Sequence, residues 1–306
     1  MKAGNRREFL KKSGLTLMGM GLLPSLMANQ RILMDENPFF NISLAQWSLH
    51  NALFDKEMTN LDFPVRTKNE FGIDAVEYVS VFFNSTTDKY VNELRRICLD
   101  NDVDSVLIMV DNEGNMGAND ERERIKAVEN HYKWIEAAKL LGCQSIRVNA
   151  RGEGTREEVA KAAVDGLGKL TEYGSTEGIN VIVENHGGYS SDGEWLTGVI
   201  KEVGSPYCGT LPDFGNFKIS DGNMYDRYKG VKELLPYAKG VSAKSNVFNN
   251  EGDEINTDYY KMMKIVKDGG YRGYVGIEYE GSELSEADGI MATRALLLKV
   301  AEQLWP

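Results

Sequence analysis

From residue 42 onward, short β-rich runs alternate with longer helical segments eight times over. The runs fall at 42–49, 75–79, 105–110, 145–149, 180–184, 208–213, 240–244 and 274–278. Their starts recur at roughly the length of one strand–helix unit. Between them lie amphipathic segments such as 89–99, 121–141, 156–177, 258–267 and 287–304, several entered through a capping residue and left at a glycine, as at Thr155 and Gly142. No linker or composition break interrupts the series, so the pattern predicts one single (β/α)8 TIM barrel over 41–306. A doubly wound open sheet is the competing architecture, but it usually carries a Gly-rich turn after its first strand. The stretch Gln46-Trp47-Ser48-Leu49-His50 offers no such phosphate loop.

In a barrel, one face of each strand packs on the helices and is apolar, while the other faces the lumen. Val181 and Val183 take the helix side, which sends Glu184 and His186 inward. By the same alternation Glu278 and Glu280 point inward on the last strand, Arg147 and Asn149 on the fourth, and Ser242 and Lys244 on the seventh. Asp213 follows Leu211 on the sixth. Glu184, Asp213 and Glu278 thus converge at strand ends, where barrel enzymes keep their chemistry. Three carboxylates in one small space need a partner, because a lone buried charge is costly. A divalent cation answers that need, and an oxygen-rich set suits Mn²⁺ or Mg²⁺ first, with Co²⁺ or Zn²⁺ as further candidates.

The first residues read differently from the rest. Arg6-Arg7 precede Phe9-Leu10-Lys11, and residues 13–30 carry no charge. This predicts a twin-arginine export signal over 1–28, a linker over 29–40, and a periplasmic protein delivered by the twin-arginine machinery. Lys2, Arg6, Arg7, Lys11 and Lys12 against Glu8 give the leader a net charge of +4, so the whole-chain charge of −11 becomes −15 without it. Such acidity argues against nucleic-acid partners, whose phosphates reward Lys and Arg. After signal removal no stretch is long and apolar enough to span a bilayer. Cys98, Cys143 and Cys208 lie far apart without C-x-x-C spacing, which indicates neither a disulfide framework nor a zinc–cysteine site.

Four segments carry a resemblance: Val183-Glu184-Asn185-His186-Gly187, Asp213-Phe214-Gly215-Asn216, Val241-Ser242-Ala243-Lys244 and Ile277-Glu278-Tyr279-Glu280. Together they resemble the xylose isomerase-like TIM-barrel proteins of the sugar phosphate isomerase/epimerase superfamily, over almost all of 41–304. The resemblance implies one divalent metal on Glu184, Asp213 and Glu278. It also implies a fourth ligand, a His on the seventh strand; Ser242 stands in that place here, and Lys244 two positions on is retained.

The chemistry expected is proton transfer next to a carbonyl of a keto or aldo sugar, by Glu184 and Glu278 with Lys244 and His186 in the catalytic set. Return of the proton gives an isomerase or epimerase. Loss of a β-oxygen substituent gives a keto-glycoside lyase or dehydratase. A non-catalytic carbohydrate-binding barrel is the alternative from another class. Trp47, Glu77, Arg147 and Asn216 are candidates for substrate binding: Trp47 by stacking or as packing, Glu77 by hydroxyl contacts or pairing with Arg147, Arg147 by holding substrate or balancing charge, and Asn216 as orienter or turn residue. The stretch Asp111-Asn112-Glu113-Gly114-Asn115 reads as an exposed loop. The acidity favours a non-phosphorylated carbohydrate. A homo-oligomer is compatible with all of this.

Overall fold

The computed structural model describes residues 38–304. The expected signal over 1–28 and the linker up to residue 37 lie outside the described residues. Eight parallel strands form one sheet: β1 (Asn41–Ala45), β2 (Ala75–Val79), β3 (Asp104–Met109), β4 (Ser145–Val148), β5 (Asn180–Glu184), β6 (Cys208–Leu211), β9 (Val241–Ser245) and β10 (Tyr274–Tyr279). Their order is β6-β5-β4-β3-β2-β1-β10-β9. The two outer strands meet through parallel bridges at Thr210–Ala238 and Asp213–Ser242. There the Ser242 N–H donates to the Pro212 carbonyl (2.9 Å) and the Phe214 N–H to the Ser242 carbonyl (3.1 Å), which curls the sheet back on itself as the barrel pattern predicts. A short antiparallel hairpin, β7 (Lys218–Ser220) with β8 (Asn223–Met224), interrupts the sixth unit; nothing in the repeat pattern foreshadowed it.

The helices pack outside. Their ends carry the chemistry that sets them: in α5 (Arg156–Glu177) the Thr155 hydroxyl accepts from the Glu158 N–H while the Glu158 carboxylate accepts from the Thr155 N–H. α4 (Glu121–Leu141) stops at Gly142, whose φ of 86° needs the freedom of glycine. The first strand is shorter than expected. It ends at Ala45, and Gln46–Leu49 form a 3-10 turn, because the Gln46 side chain leaves the ladder to hydrogen-bond Asn60 (2.7 Å) and the Val79 N–H (2.9 Å).

Two apolar clusters record the strand alternation. Val181, Val183, Val241, Ala243, Val275 and Ile277 belong to the large layer between sheet and helices. Ala45, Ala75, Val79, Leu107, Met109, Ile182 and Leu211 fill the lumen. Toward the strand C-termini the lumen turns polar at Arg147, Glu184, Asp213, Lys244 and Glu278. Cys98, Cys143 and Cys208 are free and buried. Among the described residues no helix is long and apolar enough to cross a membrane.

Candidate active site

Glu184 is the last residue of β5, on the lumen face set by Ile182 two positions earlier. Its Oε1 accepts from Asn216 Nδ2 (2.9 Å), and its Oε2 lies 2.9 Å from Arg147 Nε of β4. Asp213 follows β6 and is held by backbone: its Oδ1 accepts the N–H groups of Gly215 and Asn216, both at 2.7 Å. Asn185 fixes the same turn by accepting the Asp213 N–H (2.7 Å) and donating to the Asp213 carbonyl (3.0 Å). Glu278 enters from β10, facing Ser242 and Lys244 of β9 across the parallel pair. One oxygen from each of Glu184, Asp213 and Glu278 lies within 4.8 Å of the others, and all three residues are buried. The strands that sequence alternation selected bring these carboxylates together.

Burial sets the proton affinities. It pushes Glu184 up to about 7 despite Arg147, and Asp213 up to about 7 despite Lys244. For Glu278 burial also raises, but the Lys244 ammonium, the Ser242 hydrogen bond and Arg147 outweigh it and hold the carboxyl below its usual range. Lys244 is buried too, yet Glu278, Asp213, Glu280 and Glu184 keep it firmly protonated. Its Nζ lies 3.4 Å from Glu278 Oε1 and 3.2 Å from Glu280 Oε2.

The donor set suits a hard divalent cation. Ser242 Oγ lies 2.7 Å from Asp213 Oδ2 and 2.8 Å from Glu278 Oε2. One hydroxyl carries one proton, so it serves only one of these oxygens at a time. Arg147 is shared between Glu184 and Asp111, and Lys244 between Glu278 and Glu280. Positive charge is therefore short at the centre of the triad, and every donor there is a hard oxygen. Glu184, Asp213 and Glu278 would hold the ion.

Above this floor opens a cavity of about 420 Å³, lined by Trp47, Phe54, Arg147, His186, Glu278 and Glu280 among others. His186 stands at its edge with Arg151 Nη2 3.0 Å from its Nδ1, and burial together with Arg147, Lys244 and Arg151 pushes its pKa down to about 4. It is a neutral imidazole at ordinary pH. Trp47 lies in the 3-10 turn after β1, stacked on His50 (5.1 Å) and next to Phe82 (6.0 Å). Arg147 balances acidic charge, donating to Asp111 Oδ1 (2.8 Å) besides meeting Glu184. Asn216 orients Glu184 and contributes the turn N–H to Asp213.

Glu77 lies elsewhere. It is fully buried low in the lumen, where Ser43 Oγ donates to its Oε1 (2.5 Å), and burial pushes it up to about 8. The glycine at 276 makes room: a Cβ there would stand 2.6–2.8 Å from the Glu77 carboxyl. One site residue escaped the sequence reading. Asp111, read as part of an exposed loop, joins Arg147 and Asn149 (both 2.8 Å) and is held below the usual carboxylate range, because Arg147 outweighs its burial. Arg151 lies past the end of β4, beyond the reach of strand alternation.

With this geometry in place, comparison with known proteins assigns the family. Residues 65–300 match the xylose isomerase-like TIM barrel family. The chain belongs to it. A human protein described as a putative hydroxypyruvate isomerase is 25% identical over 142 residues, which is 45% of this chain and 50% of that protein. The chain thus spans about half the length of this curated relative. A solved L-ribulose 3-epimerase superposes with a TM-score of 0.68 at 13% identity, covering 86% of this chain and 95% of that one. A xylose isomerase-like TIM barrel protein from Mycobacterium smegmatis, solved in complex with magnesium, gives a TM-score of 0.65 at 18% identity, covering 87% and 98%. These likenesses show that the barrel of this family is shared.

Proposed function

We propose that this chain is a divalent-metal-dependent sugar isomerase or epimerase, acting on a non-phosphorylated sugar or sugar derivative. The observation that carries the reading is the convergence of three buried carboxylates from three strands on one point short of positive charge. The isomerase and epimerase names among the relatives support it. Mn²⁺ or Mg²⁺ is the proposed occupant, as an all-oxygen donor set prefers. When bound, the ion supplies a Lewis acid that draws electron density from substrate oxygens.

The chain's own residues do the rest. Glu184, at the end of β5, takes a proton from the carbon beside the carbonyl. Glu278, on β10, is its partner from the other side: it gives a proton when Glu184 takes one, and in the reverse direction, ionised beside Lys244, it takes one while Glu184 gives. Return of the proton to the opposite face gives epimerisation, and return to the neighbouring carbon gives isomerisation. His186, neutral at the rim, is suited to hydrogen-bonding a substrate hydroxyl. Arg147, Lys244 and Arg151 each already face a partner within the site, which supports a substrate without a phosphate ester. The paired arginines at 6–7 support export of this enzyme to the periplasm.

The test is solvent exchange. Keto and aldo sugars incubated with the metal-supplemented protein in D₂O should gain deuterium beside the carbonyl, read by proton NMR. Glu184→Gln and Glu278→Gln should each slow this by about 10²–10⁴-fold. Exchange that persists in both variants contradicts the assignment of these carboxylates.

A further inference from the structure

The cavity above the carboxylates has two unlike walls. One carries Arg147, Asp111, His186 and Glu280; the other carries Trp47, Phe54, Val79, Val81 and Met109. The apolar wall does not stop at the floor. Phe54, the last residue of α1 (His50–Phe54), is 57% exposed, and Val81 is 38% exposed. The Phe54 ring meets Trp47 nearly edge-on (6.0 Å, 89°) and Phe82 at 5.1 Å, so three rings form one shelf rising from the active site to solvent. Water-exposed apolar groups on loops around a reactive floor mark ligand contact rather than fold stability. The volume also lies in the range that accommodates ligands larger than one sugar ring.

Resting on the isomerase/epimerase reading of the floor, we infer that the substrate is a glycoside whose reacting sugar keeps a carbonyl (the reducing unit of a disaccharide, or a keto-glycoside), with a second ring seated on the Trp47–Phe54 shelf. The reacting sugar sits over Glu184, Asp213 and Glu278. The attached ring presents its flat face to the aromatic surface, where stacking is favourable beyond simple burial.

Binding tests this without turnover. Dissociation constants of matched methyl and phenyl glycosides of common hexoses, measured by calorimetry on the full chain, should favour the phenyl member by about tenfold. Phe54→Ala should collapse that ratio toward one, whereas Leu99→Ala, also well exposed but outside this cavity, should leave it. Phenyl glycosides that bind no tighter than methyl glycosides, including no binding by either, overturn the inference, as does an unchanged ratio in Phe54→Ala. Preferential phenyl binding without any deuterium exchange keeps the subsite and removes the isomerase reading instead.

Discussion

At the scale of the residue, the lumen below the site is a place where space and charge are traded closely. Glu77 fits only because position 276 has no side chain. Gly276→Ala should therefore destabilise the fold by about 1–3 kcal/mol through overpacking, measured by urea denaturation. Adding Glu77→Ala should recover part of that loss; strictly additive effects would show that the two positions do not share the space. Glu77 also shapes the pH response. Its folded-state affinity of about 8, and those of Glu184 and Asp213 near 7, lie above the unfolded values of 4.5 and 3.8. Between those limits the folded chain binds more protons than the unfolded one, so stability falls as pH rises. Metal-free protein should melt higher at about pH 5.5 than at about pH 8, and Glu77→Gln should flatten the slope. A profile that rises over this window contradicts the burial argument.

Elements carry the legible part of the site. Period-two alternation in β5 and β10 was enough to send Glu184 and Glu278 inward, since an apolar residue on every second position leaves the others one direction only. Alternation also placed Arg147, which the structure shows paired with two carboxylates. Arg147→Met strands both, and should cost about 3–5 kcal/mol in chemical denaturation, as loss of one partner from a buried ion pair does. A cost within about 1 kcal/mol would mean that the pair is solvated. Alternation fails where strands end. Asp111 and Arg151 lie on loops, whose side-chain directions follow tertiary contacts, and the 3-10 turn at Gln46–Leu49 depends on a distant Asn60. Glu77 had the right parity but the wrong height, because residue type and period say nothing of depth in the lumen.

For the whole molecule, eight repeated units and four motif segments were sufficient to anticipate the barrel and its family, matched over residues 65–300. The chain's net charge of −11 is not spread evenly: five carboxylates, Asp111, Glu184, Asp213, Glu278 and Glu280, face two buried cations, Arg147 and Lys244, at one end of the barrel. That local imbalance makes the central claim measurable directly. Protein stripped with chelator is titrated with Mg²⁺, Mn²⁺, Co²⁺ and Zn²⁺ at about pH 7.5 while heat, released protons and melting temperature are followed. The account predicts saturable binding of about one ion, Mn²⁺ or Mg²⁺ included, with proton release and a raised melting temperature, all lost in Asp213→Asn. No saturable binding and no thermal shift with any of the four ions would contradict it.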